Sequence, residues 1–363
     1  MIAIFAPAII FELYKQIKFS LAEKPSQETD PHAIYMDKAE RDEVIAMHGD
    51  EKASTAQPMM YQSFIGWRRP TSQIPTSQII LPYNQRASVN QQLNGSSWFF
   101  GNSTMWGMGT SQNYTIPSQY AKKTGKTVTN FGESAWVSRQ SLNQLLNAIG
   151  DGYKPKEVIF YGGAGDILQG CRAELTTTPS HVQEPALREM TRNGIKYFIS
   201  KDFVTPTIDF VIMPYKAILG KLGKYKNTKA TSGSTMDCSS DSIKAQNIAN
   251  HLINNWKADY VLSKSNGAKF LAILQPLAQT SDTPTNHFED EGDLLRDQFK
   301  TVYPLILNTI KRQCKVDPSF CNSFVDGQRW IKTKEPVFID ISHLTGSENE
   351  IVAHRLANFL KTK

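Results

Sequence analysis

Residues able to carry out nucleophilic catalysis stand near the start and near the end of this chain. Ser103 follows Trp98-Phe99-Phe100-Gly101-Asn102, an apolar run fit for a buried strand that breaks at Gly101. A polar side chain delivered there lies beyond the carboxyl end of a strand, where open α/β sheets form their ligand crevices. A serine hydroxyl is a weak nucleophile at neutral pH and needs a base to take its proton. The stretch Phe338-Ile339-Asp340-Ile341-Ser342-His343 supplies one. An aspartate three residues before a histidine on the same loop can reach the second ring nitrogen and fix the tautomer. The chemistry this spacing offers is acyl transfer: Ser103 as nucleophile, His343 as general base and then acid, Asp340 as the orienting carboxylate. Taken alone, Ser103 also fits a residue that caps the following segment. The order of the pieces and their placement at strand ends argue for chemistry.

The elements that must position these groups follow from periodicity. Residues 115–125 read as a helix ending at Gly125, and 127–129 as a strand. Residues 138–149 carry Leu142, Leu145, Leu146 and Ile149 at helical spacing, and 158–161 form a continuous apolar run of the kind a parallel sheet buries on both faces. Residues 171–241 loosen into an insertion over the active-site face, with a β-prone run at 204–213 and a helix at 215–222. Regularity returns with a helix over 242–260 carrying Ile243, Ile248, Leu252 and Trp256. A strand at 269–274 ends at Gln275-Pro276, and residues 291–312 form a helix or helix pair interrupted near Pro304. A last strand at 336–339 delivers Asp340 and His343, and a helix from Ser347 turns Ile351, Leu356 and Leu360 inward. Ahead of these, 23–57 reads as an exposed linker or a surface helix around 38–47, and 61–67 and 77–83 as short strands punctuated by prolines. The alternation predicts an α/β fold of three layers, α/β/α, with a mainly parallel central sheet.

Bulk properties narrow the function. The chain has 363 residues and a formal charge of +6, with Lys and Arg dispersed among acidic residues, which excludes a nucleic-acid stripe. Cys171, Cys238, Cys314 and Cys321 lack C-x-x-C spacing and a histidine cluster, which argues against zinc. Cys314 and Cys321 flank a short Asp317-Pro318 turn and could pair locally, leaving Cys171 and Cys238, although four cysteines permit three pairings. Paired cysteines would mean an oxidising compartment; free buried thiols fit equally. Residues 1–11 are strongly apolar, stop at Glu12 and lack the positive residues that open a secretory signal. They read as the clipped end of a membrane anchor, as an interfacial helix continued to residue 19, or as a helix packed on the body.

Gly101-x-Ser103 and Asp340-x-x-His343 resemble the first and last blocks of the SGNH (GDSL-type) serine hydrolases, with Asn102 where many members carry aspartate. The resemblance spans roughly residues 95–360 and extends to Asn130-Phe131-Gly132-Glu133-Ser134 and Gly162-Gly163-Ala164-Gly165-Asp166. It implies the flavodoxin-like SGNH fold over residues 58–363, after an apolar segment 1–22 and the linker 23–57. It also implies an oxyanion hole made by the backbone N–H groups of Ser103 and Gly132. The family usually reads Gly-x-Asn-Asp in the third block, the asparagine amide being a further donor; Gly165 stands there and offers backbone only. Restoring the amide by Gly165→Asn should then raise turnover. Asp166 is expected to be structural.

Residues 61–68 and the Gln275-Pro276 pair are similar to stretches of bacterial, envelope-associated members. The resemblance implies a serine ester hydrolase acting on an acyl ester, an O-acetylated glycan by analogy, with no metal or organic cofactor. It would sit in the cell envelope, periplasmic or extracellular, and be membrane-anchored through the N-terminus, as relatives with a similar first block often are. Two alternatives stay open: a catalytically impaired module that binds glycan or a partner protein, and an acyltransferase using the same serine.

Overall fold

The strand periodicity of 2 divides each apolar run of this chain between two hydrophobic cores, one on either face of a sheet. The computed structural model describes residues 32–54, 60–173, 175, 235–285, 287 and 293–361. The apolar segment 1–22, residues 23–31 and 55–57 of the expected linker, and nearly all of the insertion, with its expected strand at 204–213 and helix at 215–222, lie outside the described residues.

A hairpin of β1 (Met60–Gln62) and β2 (Gly66–Arg68) stands apart from the main sheet. The main sheet contains β3 (Ile79–Ile80), β4 (Gln85–Arg86), β5 (Ser97–Gly101), β6 (Val128–Asn130), β7 (Glu157–Gly162), β8 (Lys269–Leu274) and β9 (Phe324–Asp326). Its order is β3-β4-β6-β5-β7-β8-β9. The five strands from β6 to β9 are parallel, and β3 and β4 form an antiparallel edge. The helices in chain order are α1 (Lys38–Ser54), α2 (Ser103–Trp106), α3 (Ile116–Thr124), α4 (Ser138–Gly150), α5 (Ala164–Gly170), α6 (Ser242–Ser265), α7 (Asp293–Val316), α8 (Pro318–Cys321) and α9 (Gly346–Lys361).

On one face Trp98, Phe100, Val158, Phe160, Phe270 and Ala272 pack against Leu145 of α4, Ile167 of α5, Ile248 and Leu252 of α6, and Phe299 of α7. On the other, Phe99, Ile159, Tyr161, Leu271 and Ile273 meet Tyr120 of α3 and Val352, Leu356 and Leu360 of α9. Each fully buried side chain of this size contributes roughly 1.5–3 kcal/mol, so the two interfaces lock the three layers together. This is the three-layer α/β/α arrangement expected from the alternation. The chain leaves β5 toward β6 on one side and then crosses to β7 on the other. That reversal opens a crevice at the carboxyl ends of β5 and β7.

Several local expectations change. Residues 336–339 do not form the last strand, because the position beside β8 is taken by β9. They fold back on the following turn instead, through a Phe338–Leu344 bridge. The helix expected to break near Pro304 is continuous: Pro304 and Lys300, whose carbonyl the proline leaves without its usual amide, both lie on its exposed side. On α9 the buried stripe is Val352, Leu356 and Leu360, and Ile351 is 40% exposed. Both cysteine pairs are joined, Cys171 to Cys238 and Cys314 to Cys321. Among the described residues no helix is long and apolar enough to cross a membrane.

Candidate active site

The turn after β5 that presents Ser103 requires a glycine at position 101. A Cβ on Gly101 would meet the Tyr161 carbonyl of β7 at 2.3 Å. Asn102 then caps α2, its Oδ1 accepting from the Thr104 N–H at 3.1 Å, so that Ser103 is the first residue of the helix. The other end of this short helix is fastened by cations and amides from neighbouring elements. Buried Arg86 donates to the carbonyls of Trp106 (2.8 Å), Gly107 (2.6 Å) and Thr110 (2.6 Å), and Asn130 Nδ2 donates to the Met105 carbonyl at 3.0 Å. The Trp106 ring lies between the guanidinium groups of Arg69 and Arg86, 4.0 and 3.9 Å from its centre.

Asp340 and His343 arrive on a turn held from within. The Ile339 N–H donates to the His343 carbonyl at 2.8 Å and the Thr345 N–H to the Val337 carbonyl at 3.1 Å. Asp340 Oδ1 accepts from the Ser342 and His343 amides at 2.8 and 2.9 Å. This fixes the carboxylate and leaves Oδ2 facing His343 Nδ1 at 2.6 Å. The far ring nitrogen, Nε2, is 2.7 Å from Ser103 Oγ. Burial raises the Asp340 pKa, but the hydrogen bond from His343, its positive charge and the two amides outweigh burial and bring it down to about 2. The group is therefore an anion throughout the neutral range, and it dictates that the proton on the neutral imidazole sits on Nδ1 and leaves Nε2 free to accept.

The other two residues expected at the site are placed as follows. Gly132 packs against the backbone of α2: a Cβ there would lie 2.5 Å from the Trp106 nitrogen and 2.8 Å from the Met105 carbonyl carbon. Its N–H donates to Asn130 Oδ1 at 2.9 Å, so serving an oxyanion requires that acceptor to be left or shared. Gly165 sits in the first turn of α5, where a Cβ would meet the Trp136 carbonyl oxygen at 2.4 Å and Asn102 Nδ2 at 3.0 Å. There is no room for a side chain at 165, which removes the basis for restoring an amide by Gly165→Asn. Asp166 accepts from the Ser138 N–H at 3.0 Å and from its hydroxyl at 2.6 Å, thereby tying α5 to the start of α4. Burial pushes its carboxyl up to about 6 against those bonds.

Sequence spacing did not single out Arg86, Asn130 or Gln275 as members of the assembly around α2. Each sits at or next to the end of a sheet strand, but only Gln275 stands as an isolated polar residue in an apolar context, between Leu274 and Pro276-Leu277. Arg86 follows Asn84-Gln85 and Asn130 follows Thr129, so their neighbours give no such signal. Among the described residues no group of three or more His, Cys, Asp or Glu side chains could hold a metal ion.

No family model matches the chain, and no curated protein matches it. Among solved structures the chain is similar to a carbohydrate acetylesterase from Sinorhizobium meliloti, at 15% identity and a TM-score of 0.39 over 74% of this chain and 99% of that one. It is also similar to a member of the lipolytic protein G-D-S-L family from Veillonella parvula, at 11% identity and a TM-score of 0.37 over 72% and 95%. A third similar structure is an acetyl xylan esterase from the rumen bacterium Butyrivibrio proteoclasticus, at 10% identity and a TM-score of 0.38 over 75% and 64%.

Proposed function

We propose that this protein is a serine ester hydrolase of the SGNH type that cleaves an acyl ester, with an O-acetylated glycan as the substrate class. The observation that carries the reading is the hydrogen-bonded relay from Ser103 Oγ through His343 to Asp340, at 2.7 and 2.6 Å, assembled from residues 240 positions apart. His343 Nε2 removes the Ser103 proton as Oγ attacks the acyl carbonyl, and the imidazolium that forms faces the Asp340 carboxylate. The same Nε2–H then protonates the departing alkoxide. Water repeats the sequence on the acyl-enzyme and restores the free serine. The Ser103 N–H, at the first position of α2 where no intrahelical acceptor reaches it, is one oxyanion donor. The glycan class follows from the resemblance to envelope-associated members.

A fluorophosphonate probe tests the reading. The folded protein takes up one label, on Ser103, and Ser103→Ala abolishes both the label and the hydrolysis of a simple acetyl ester. A folded wild-type protein that resists the probe would refute it. A second reading, an acyltransferase using the same serine or a catalytically impaired module that binds glycan or a partner protein, is favoured by the commitment of the Gly132 amide to Asn130 and the missing side chain at 165. It predicts labelling without net hydrolysis in the first case and no labelling in the second.

The two disulfides support residence in an oxidising compartment outside the cytoplasm. We place the protein in the cell envelope, held to the membrane through residues 1–22. Detergent-free fractionation of cells with and without that segment tests this: equal release from both would sink it.

A further inference from the structure

Gln275 immediately follows β8 and is fully buried, and no step described above uses it. Its backbone is fixed twice: its N–H donates to the Gly162 carbonyl at the end of β7, and its carbonyl accepts from the Tyr303 hydroxyl of α7, each at 3.0 Å. Its side chain then reaches the two residues on either side of Ser103. Asn102 Nδ2 donates to Gln275 Oε1 at 3.2 Å, and Gln275 Nε2 donates to Thr104 Oγ1 at 3.1 Å.

The orientation of this chain of bonds is determined step by step. The Thr104 N–H occupies Asn102 Oδ1, so Asn102 must turn its NH2 toward Gln275. Gln275 must then meet it with Oε1 and present its own NH2 to Thr104. Thr104 Oγ1 accepts there and has one proton left, which goes to the Ser342 carbonyl at 3.5 Å, one residue before the general base. The network begins at the nucleophile's helix and ends on the turn that carries His343.

We propose that Gln275 is a positioning residue: its carboxamide clamps both flanks of Ser103 to the end of β8 and, through Thr104, sets the distance between the serine and the His343 turn. The proposal rests on Ser103 being the nucleophile. Small displacements of a nucleophile relative to its base are expensive in rate, with about 1 Å costing on the order of a hundred-fold. The two arms of a carboxamide, one accepting and one donating, suit this place. A carboxylate cannot donate to Thr104, and a thioether of similar length can do neither job.

The test compares Gln275→Met, Thr104→Val and the double variant with the wild type, using p-nitrophenyl acetate turnover and the rate of fluorophosphonate labelling on Ser103. The expected result is a roughly ten- to hundred-fold loss in kcat for each single variant. KM stays close to that of the wild type, and labelling slows in parallel. The double variant loses no more than the worse single one, because both act through the same bridge. Thr104→Ser, which keeps the hydroxyl, loses less than Thr104→Val. A folded Gln275→Met protein that labels and turns over at the wild-type rate overturns the proposal. If that variant does not fold, equal rates for Thr104→Ser and Thr104→Val overturn it. A wild type that takes up no label refutes the serine reading itself, which is a different result from either.

Discussion

At the scale of single residues, the site depends on one carboxylate kept ionised and on three glycines, Gly101, Gly132 and Gly165, that leave no space for a Cβ. Asp340 binds its proton more weakly in the fold than its ordinary value of 3.8 allows, and its pKa falls to about 2. Its contribution to stability is therefore complete above about pH 4 and is lost as the pH falls toward 2, so loss of activity between pH 6 and 4 cannot come from its protonation. Asp340→Asn keeps the shape but offers Nδ1–H a poorer acceptor and permits the wrong tautomer. It should lower kcat by about 10³–10⁴-fold and, because the stability linked to the carboxylate's charge goes with it, also lower the melting temperature at pH 7, measured by steady-state kinetics and thermal unfolding. Gly165→Asn is a second prediction at this scale, and it reverses what the third sequence block suggested. With the Trp136 carbonyl 2.4 Å from the new Cβ, the variant should lose thermal stability and gain no turnover. A faster, equally stable Gly165→Asn enzyme would contradict the geometry.

At the scale of elements, α1 supports the turn that carries Asp340 and His343. Val44 and Met47 pack with Tyr35, Ile34 and Ile339, the last of which is the neighbour of Asp340. Glu40 Oε1 accepts the Gly346 N–H at the start of α9, and its other oxygen has no hydrogen-bond partner among the described residues. Burial pushes the Glu40 carboxyl up to about 7, aided by nearby Glu348 and Asp37 and opposed by the Gly346 and Ser347 amides. The folded chain therefore holds this proton more tightly than the unfolded chain, whose value is near 4.5. Stability conferred by the protonated form is full below about pH 4.5 and is lost as the pH rises through 7. Glu40→Gln keeps an acceptor for Gly346 and removes the titration. Its melting temperature should gain on that of the wild type as the pH is raised from 5 to 8; a constant difference across that range would show that Glu40 does not titrate there.

At the scale of the whole molecule, two disulfides staple loops of very different length. Cys171–Cys238 joins the residue after α5 to the approach of α6 across 67 positions, with both cysteines buried in the core, while Cys314–Cys321 spans 7. Loop-closure entropy predicts the larger loss for the longer loop. Replacing Cys171 and Cys238 by Ala should cost about 2–4 kcal/mol in denaturant unfolding, and replacing Cys314 and Cys321 distinctly less. The layers and the parallel strands were legible in the chain itself, because β5, β7 and β8 are long apolar runs and α3, α4, α6 and α9 carry a 3.6-residue stripe; both are local properties. So were Ser103, Asp340 and His343, since a glycine break after a strand and an Asp-x-x-His turn are readable without knowing what they touch. The edge strand β9 was not, because it is three residues long and its place is decided by pairing with β8. The supporting set of Arg86, Asn130, Gln275 and Glu40 was not legible either: each acts across the fold, on backbone groups or side chains far away in sequence, and no spacing records that. The identities and order of Ser103, Asp340 and His343 are properties of the sequence alone. The 2.7 Å between Ser103 and His343 belongs to the tertiary structure, because only the packing of α2 and the His343 turn on a common sheet end brings the two groups within reach of one proton.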